Sequence, residues 1–244
     1  MPSNSHNIAF DLGGVVIALS YENAIRRFEE IGLTDARQHL DAFHQHGIFG
    51  DLESGRTSAE VFREELSRII GRQLTMDECF YAWHGYVESV PQRNLDMLLR
   101  LRQQGYKVCL LSNTNPFMMQ WACSPAFDGG HHPIDYYFDR LYLSYECKVM
   151  KPSPEIFRMM LEGQQATADE TLFIDDSPNN CAAAEALGIH TSALRTTKTG
   201  SPLSNLISIC NIHLTQRWQR GNVYFVSSKP TRAPSALLAS LLTA

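Results

Sequence analysis

Three short apolar runs, each stopped abruptly by polar residues, constrain this chain more than any other feature. Ile8-Ala9-Phe10 ends at Asp11, Val108-Cys109-Leu110-Leu111 ends at Ser112-Asn113, and Leu172-Phe173-Ile174 ends at Asp175-Asp176. Runs this short and continuously apolar suit strands buried on both faces of a parallel sheet. Helical patterns separate them. Leu95, Leu98, Leu99 and Leu101 make one apolar face, closed by Gly105 as a C-cap. Ile156, Phe157, Met160 and Leu161 make another, opened by Ser153 as N-cap with Pro154 at the first helical position. A third helix is expected from Ser177-Pro178 through an Ala-rich stretch to Gly188. Strand and helix in alternation predict βαβ units and an α/β fold with a Rossmann-like, doubly wound parallel sheet.

In such sheets ligands bind beyond the carboxyl ends of the strands. Asp11, Ser112, Asn113, Asp175 and Asp176 all fall on that edge. Lys151, a few residues past the apolar segment Leu141-Tyr142-Leu143, can reach the same place.

Between the first two runs, from about Ser20 to Val90, the chain has helical periodicity. Ala24, Ile25, Phe28 and Ile31 form one face; Val61, Phe62, Leu66, Ile69 and Ile70 form another. The expected organisation is a core of residues 1–19 and 91–212, a helical cap of residues 20–90, and an atypical tail of residues 213–244. No Asp or Glu follows Glu185, while Arg195, Lys198, Arg217, Arg220, Lys229 and Arg232 remain. That shift in composition marks the tail as peripheral to the catalytic fold.

Composition narrows the class. With 244 residues, 44% of them apolar and 19% charged, the chain supports one good core plus a smaller insert. A formal charge of −5 argues against a nucleic-acid binder. No run approaches the roughly 20 apolar residues that a membrane span needs. The six cysteines form no C-x-x-C pair, which speaks against a zinc site or disulfide scaffold and for a reducing cytoplasm.

The edge residues match what phosphoryl transfer requires: a nucleophile, a divalent metal, a fixed cation and hydrogen-bond donors. Asp11 is the carboxylate, followed by Gly13-Gly14 where backbone can approach a ligand closely. Asp175 and Asp176 offer the hard oxygen ligands that Mg²⁺ prefers. Lys151 is the cation, and Ser112 and Asn113 are the donors. Each has a plainer reading as a turn, a helix cap or a solvated side chain. Their order along the chain, each at or just after a strand end, favours the chemical one. Trp83, His84 and Tyr86 suit sugar stacking or core packing equally. His131-His132 lacks a third metal ligand at suitable spacing and is read as a loop.

The segments Phe10-Asp11-Leu12-Gly13-Gly14-Val15-Val16, Leu111-Ser112-Asn113-Thr114-Asn115, Met150-Lys151-Pro152 and Phe173-Ile174-Asp175-Asp176-Ser177-Pro178-Asn179-Asn180 resemble the four motifs of the haloacid-dehalogenase-like hydrolase superfamily. The resemblance runs from about residue 7 to about residue 195. It is nearest to bacterial sugar-phosphate phosphatases of the α-glucose-1-phosphatase type. It implies a Mg²⁺-dependent phosphatase acting on a small phosphorylated metabolite, with no nucleic-acid or membrane partner. Asp11 would attack phosphorus and form an aspartyl-phosphate, with Lys151 as its catalytic partner. Ser112, Asn113 and Lys151 would bind the phosphoryl group; Asp11, the Gly13 carbonyl and Asp176 would hold the metal. Asp175 would orient Lys151.

Two positions depart from the family pattern. Gly13 stands where most of these phosphatases carry a general acid, and Asn180 where an acidic residue is common. Without the acid, turnover is expected to favour good leaving groups, such as hexose 1-phosphates or aryl phosphates, unless another residue supplies the proton. The cap histidines His44 and His46 are the first such candidates. Two alternatives stay open: a dehalogenase whose Asp attacks carbon, and a catalytically impaired binding protein.

Overall fold

The computed structural model describes residues 7–40 and 46–193. A five-stranded sheet runs in the order β5-β4-β1-β6-β7, with β1 (Asn7–Phe10) at its centre. Its flanks are β4 (Lys107–Ser112), β5 (Arg140–Leu143), β6 (Thr171–Asp175) and β7 (His190–Ala193). Every pairing is parallel, and Phe10 lies opposite both Leu110 and Ile174.

The three apolar runs are thus the three middle strands. Ala9, Cys109, Leu111 and Phe173 share a buried cluster with Ile156, Phe157 and Met160 of α9 (Pro154–Gln164) and Ala184 of α10 (Pro178–Glu185). The alternate side chains Ile8, Phe10, Leu110 and Ile174 point the other way and are equally buried. Two-sided burial is why these strands read as unbroken apolar runs.

The helix ends follow local chemistry. After α6 (Gln92–Gln103), Gly105 takes a φ of 89°, Gly105 N–H bonds Arg102 O and Tyr106 N–H bonds Leu101 O, a Schellman closure. Helix α9 opens at Pro154 as its sequence predicts, but the Ser153 hydroxyl bonds the Glu155 carboxylate and not the backbone. The third helix is shorter than expected, ending at Glu185 before a turn to Gly188.

The stretch after β1 is helical: α1 (Tyr21–Glu30), α2 (Ala36–His39), α3 (Gly47–Glu53), α4 (Ala59–Ile70) and α5 (Met76–Trp83). A two-stranded antiparallel ladder of β2 (Ala18–Leu19) and β3 (Val87–Ser89) brackets it, so the chain leaves and returns side by side. Ser20, Ser58 and Thr75 cap α1, α4 and α5, Thr75 within a full capping box with Glu78. Phe28, Phe49, Phe62 and Trp83 pack ring against ring at 5.3 to 5.9 Å between centroids. Val61 and Ile69, expected on the apolar face of α4, are instead 44% and 49% exposed. The buried face of α4 is carried by Phe62, Leu66 and Ser67, which turns Val61 outward and leaves Ile69 at its margin.

This insert is pinned to the sheet by α7 (Pro116–Ala122) and α8 (Ser144–Cys147). Phe62 packs on Phe117 at 5.9 Å. The buried Ser144 hydroxyl donates to Glu53 O at 2.6 Å while accepting the Thr114 N–H at 2.9 Å. Lys148 Nζ donates to Gly55 O at 2.9 Å. Gly55 has a φ of 64°, and a Cβ there would stand 2.0 Å from the Tyr145 carbonyl oxygen. Backbone strain and a clash with another backbone both act at this site. Gly55→Ala is therefore expected to destabilise the protein by about 2 kcal/mol or more, read as a drop in the midpoint of chemical unfolding.

Candidate active site

Asp11 directly follows β1, its N–H bonding Ile174 O at 2.9 Å and so extending the ladder by one residue. Ser112 ends β4, Asp175 ends β6, and Asp176 follows it. The sheet edge therefore gathers these four residues, and Lys151 joins them from the loop before α9. Asn113 sets that loop: its carboxamide accepts the Lys151 N–H and donates to Lys151 O, both at 2.8 Å.

Lys151 is the electrostatic centre. Its Nζ lies 2.8 Å from Asp11 Oδ1 and 2.7 Å from Asp175 Oδ2, and the side chain is only 1% exposed. Burial alone would push its pKa down; the two carboxylates outweigh burial and hold it above the ordinary lysine value. Asp175 is wholly buried and spends its oxygens on Lys151, the Ser177 N–H and the Asn180 carboxamide. It does not line the cleft; Asp11, Gly13, Ser112, Asn113, Lys151 and Asp176 do. The carboxamide of Asn113 is committed to Lys151, so its main chain is what it has to offer a ligand.

Carboxylate oxygens of Asp11, Asp175 and Asp176 lie within 4.8 Å of one another. Burial, with the other carboxylates against the pull of Lys151, raises the Asp11 pKa to about 7. Burial and the charge of Asp175 raise Asp176 to about 6. Three clustered carboxylates facing one ammonium are short of positive charge, and two of them open onto the cleft. That donor set fits Mg²⁺, which takes one or two carboxylates and completes its shell with water and phosphate oxygens.

Gly14 explains why Asp176 can come so close. Its φ is 72°, and a Cβ at this position would stand 2.1 Å from Asp176 Oδ2. Gly13 differs: no strained φ is involved, but a Cβ would meet the tip of Leu19 at 2.6 Å. Leu19 thus occupies the space into which a side chain at position 13 would project.

The cleft, about 800 Å³ including its open mouth, has a second wall from the helical insert and α7. Glu53, Trp83, Tyr86, Asn115 and Met118 line it. Trp83 and Tyr86 both pack within the insert's core and face the cleft, whereas His84 stacks on Phe80 and meets Arg27 outside it. His46 is exposed and does not line the cleft; His44 lies outside the described residues. His132 pairs with Asp128 at 3.1 Å, in keeping with a loop role.

Glu53 was not singled out by the sequence, where it reads as one more acidic residue of an amphipathic helix. It is 9% exposed. Burial pushes its carboxyl up to about 8; the adjacent Asn115 amide partly offsets this, and the charge of Asp11 adds to it. Asn115 Oδ1 caps α7 by accepting the Phe117 and Met118 N–H groups, which turns Nδ2 toward Glu53. That nitrogen nevertheless makes no hydrogen bond of normal geometry.

The aspartate, the buried lysine and the acidic metal-type cluster on this sheet edge, under a helical roof, are the parts that phosphoryl transfer calls for in a Rossmann-like hydrolase. The chain belongs to the haloacid dehalogenase-like hydrolase family, whose profile matches residues 6–188. It is 46% identical over 185 residues to the D-ribitol-5-phosphate phosphatase of Bacteroides thetaiotaomicron, covering 76% of this chain and 89% of that one. A HAD-like family hydrolase of Porphyromonas gingivalis superposes with a TM-score of 0.76 at 41% identity, over 84% of this chain and 98% of that one. A HAD family enzyme of Bacteroides thetaiotaomicron, solved with magnesium and inorganic phosphate, gives 0.75 at 36%, over 82% and 98%.

Two outcomes test this geometry. Gly14→Ala displaces Asp176 and is expected to weaken Mg²⁺ binding at least about tenfold, measured by calorimetry on the folded protein. The second concerns Glu53, whose folded pKa is raised above its unfolded value. Its contribution to stability is full below about pH 4.5 and is lost as pH rises through about 8. Replacing it by Gln removes that loss. The stability difference between Glu53→Gln and wild type should shift in favour of the variant between pH 5 and pH 8, by a few kcal/mol at most, whatever fixed cost the amide carries.

Proposed function

We propose that this chain is a Mg²⁺-dependent phosphatase that hydrolyses a small polyol or sugar phosphate through an aspartyl-phosphate on Asp11. The observation that carries the reading is Lys151 Nζ held between Asp11 and Asp175, with Asp176 in the same cleft. In this reading Lys151 orients the Asp11 carboxylate for attack and neutralises charge gathering on the phosphoryl oxygens. Ser112, through its hydroxyl, and Asn113, through its main chain, orient the phosphoryl group. Asp11, the Gly13 carbonyl and Asp176 hold Mg²⁺, which, when bound, spreads the negative charge of the transferring group. The insert of residues 20–90 serves as the cap that shields the site from water and reads the substrate.

The dehalogenase alternative has no use for the clustered carboxylates, and the impaired alternative is opposed by a nucleophile and a lysine already in contact. The polyol or sugar class rests on the Bacteroides relative, a D-ribitol-5-phosphate phosphatase, together with the aromatic residues Trp83 and Tyr86 that line the cleft. Among the described residues no helix is long and apolar enough to cross a membrane, and a cytoplasmic enzyme is the setting we infer.

The test is phosphate release from a panel of pentitol, pentose and hexose phosphates with and without Mg²⁺. Asp11→Asn, isosteric but unable to attack, should lower kcat more than about 10³-fold while the thermal midpoint stays within a few degrees or rises. Activity within tenfold of wild type would remove Asp11 from the mechanism.

A further inference from the structure

The roles above leave one acidic side chain of the cleft unused, and the proposal that follows rests on the phosphatase reading. Gly13 cannot donate a proton, and Leu19 fills the space beside it. Ribitol 5-phosphate, the relative's substrate, would leave as a primary alkoxide, which needs a proton more than any aryl or anomeric leaving group does. The ionisable residues lining the cleft are Asp11, Asp176, Lys151, Tyr86 and Glu53. Asp11 attacks, Asp176 serves the metal, Lys151 is clasped between two carboxylates, and a phenol such as Tyr86 is by nature a much weaker acid.

We propose that Glu53 is the general acid and base of this site, reaching it from the cap in place of the residue that Gly13 lacks. Its position is built. The Ser144 hydroxyl holds its carbonyl, Gly55 lets the following turn lie against the Tyr145 backbone, and Lys148 ties that turn down. Asn115, fixed as the cap of α7, stands beside its carboxyl. Burial keeps that carboxyl protonated at neutral pH, the state a donor must have before the first step.

The proton balance closes over two steps. As Asp11 forms its bond to phosphorus, the ester P–O bond breaks and the leaving oxygen takes the Glu53 proton, departing as the alcohol. Glu53, now a carboxylate beside a phosphorylated Asp11, removes a proton from the incoming water. The water oxygen bonds to phosphorus, the Asp11–phosphorus bond breaks, and Asp11 and protonated Glu53 are restored with inorganic phosphate as product.

The experiment compares a primary alkyl ester, ribitol 5-phosphate, with p-nitrophenyl phosphate by rapid-quench single turnover in Mg²⁺, following the phosphorylation step. In Glu53→Gln the alkyl-to-aryl rate ratio should fall about 10²- to 10⁴-fold. The aspartyl-phosphate should also persist, seen as a nitrophenol burst followed by slowed steady-state release. Glu53→Asp, which keeps an acid, should recover part of the ratio. Because it is a ratio, partial misfolding of a variant does not move it, and a merely structural glutamate would depress both esters alike. Equal losses on the two esters, or an unchanged ratio, would overturn the role of Glu53 while leaving the phosphatase reading standing. A wild-type protein inactive on both esters would overturn the reading and the role together.

Discussion

The buried ammonium of Lys151, bridging the carboxylates of Asp11 and Asp175, is the interaction on which the rest of the site depends. It joins the ends of two strands and a loop into one electrostatic unit, and each member is costly to bury without the others. Its existence rests on strand register. Phe10 pairs with Leu110 on one side and Ile174 on the other, so Asp11 and Asp175 emerge at the same level and Ser112 one residue beyond. A slip of one residue would turn every side chain of a strand to the opposite face and scatter the group. The apolar packing that fixes register therefore fixes the chemistry as well.

Much of this was legible in the sequence, for identifiable reasons. Strands buried on both faces leave unbroken apolar runs, and parallel topology sends their C-terminal ends to one edge, so the sequence alone places Asp11, Ser112, Asp175 and Asp176 together. Ser112-Asn113 was less transparent. Their plain alternative was a helix cap, yet Asn115 caps α7, and Asn113 clasps the backbone of Lys151 across 38 positions of sequence. The cap's contribution was hidden altogether. Glu53 shares its short helix with Asp51, which looks the same in sequence but pairs with Arg56 at the surface; burial beside Asn115 of α7 is what separates the two. Local periodicity reports which face of a helix is apolar; it carries no information on which carboxylate a distant helix will cover.

The site divides its labour between two kinds of structure. The sheet edge supplies rigid, charged groups whose spacing is set by the strand ladder. The insert supplies Glu53, Trp83 and Tyr86, set by helix packing. The proposed nucleophile and metal carboxylates thus stand at the ends of the strands or directly after them. The insert's residues stand on helices joined to the sheet by a two-stranded ladder, α7 and a handful of hydrogen bonds.

Leu19 over Gly13 has an evolutionary reading. The tip of the leucine lies 2.6 Å from where a Cβ at position 13 would be, yet it is the far end of a flexible side chain, 39% exposed, that can turn toward solvent. Glycine at 13 is therefore not locked in by packing. A lineage could regain a carboxylate there in one step once the leucine swings aside, so position 13 stays open to change while its glycine-bearing members draw their proton from elsewhere in the fold.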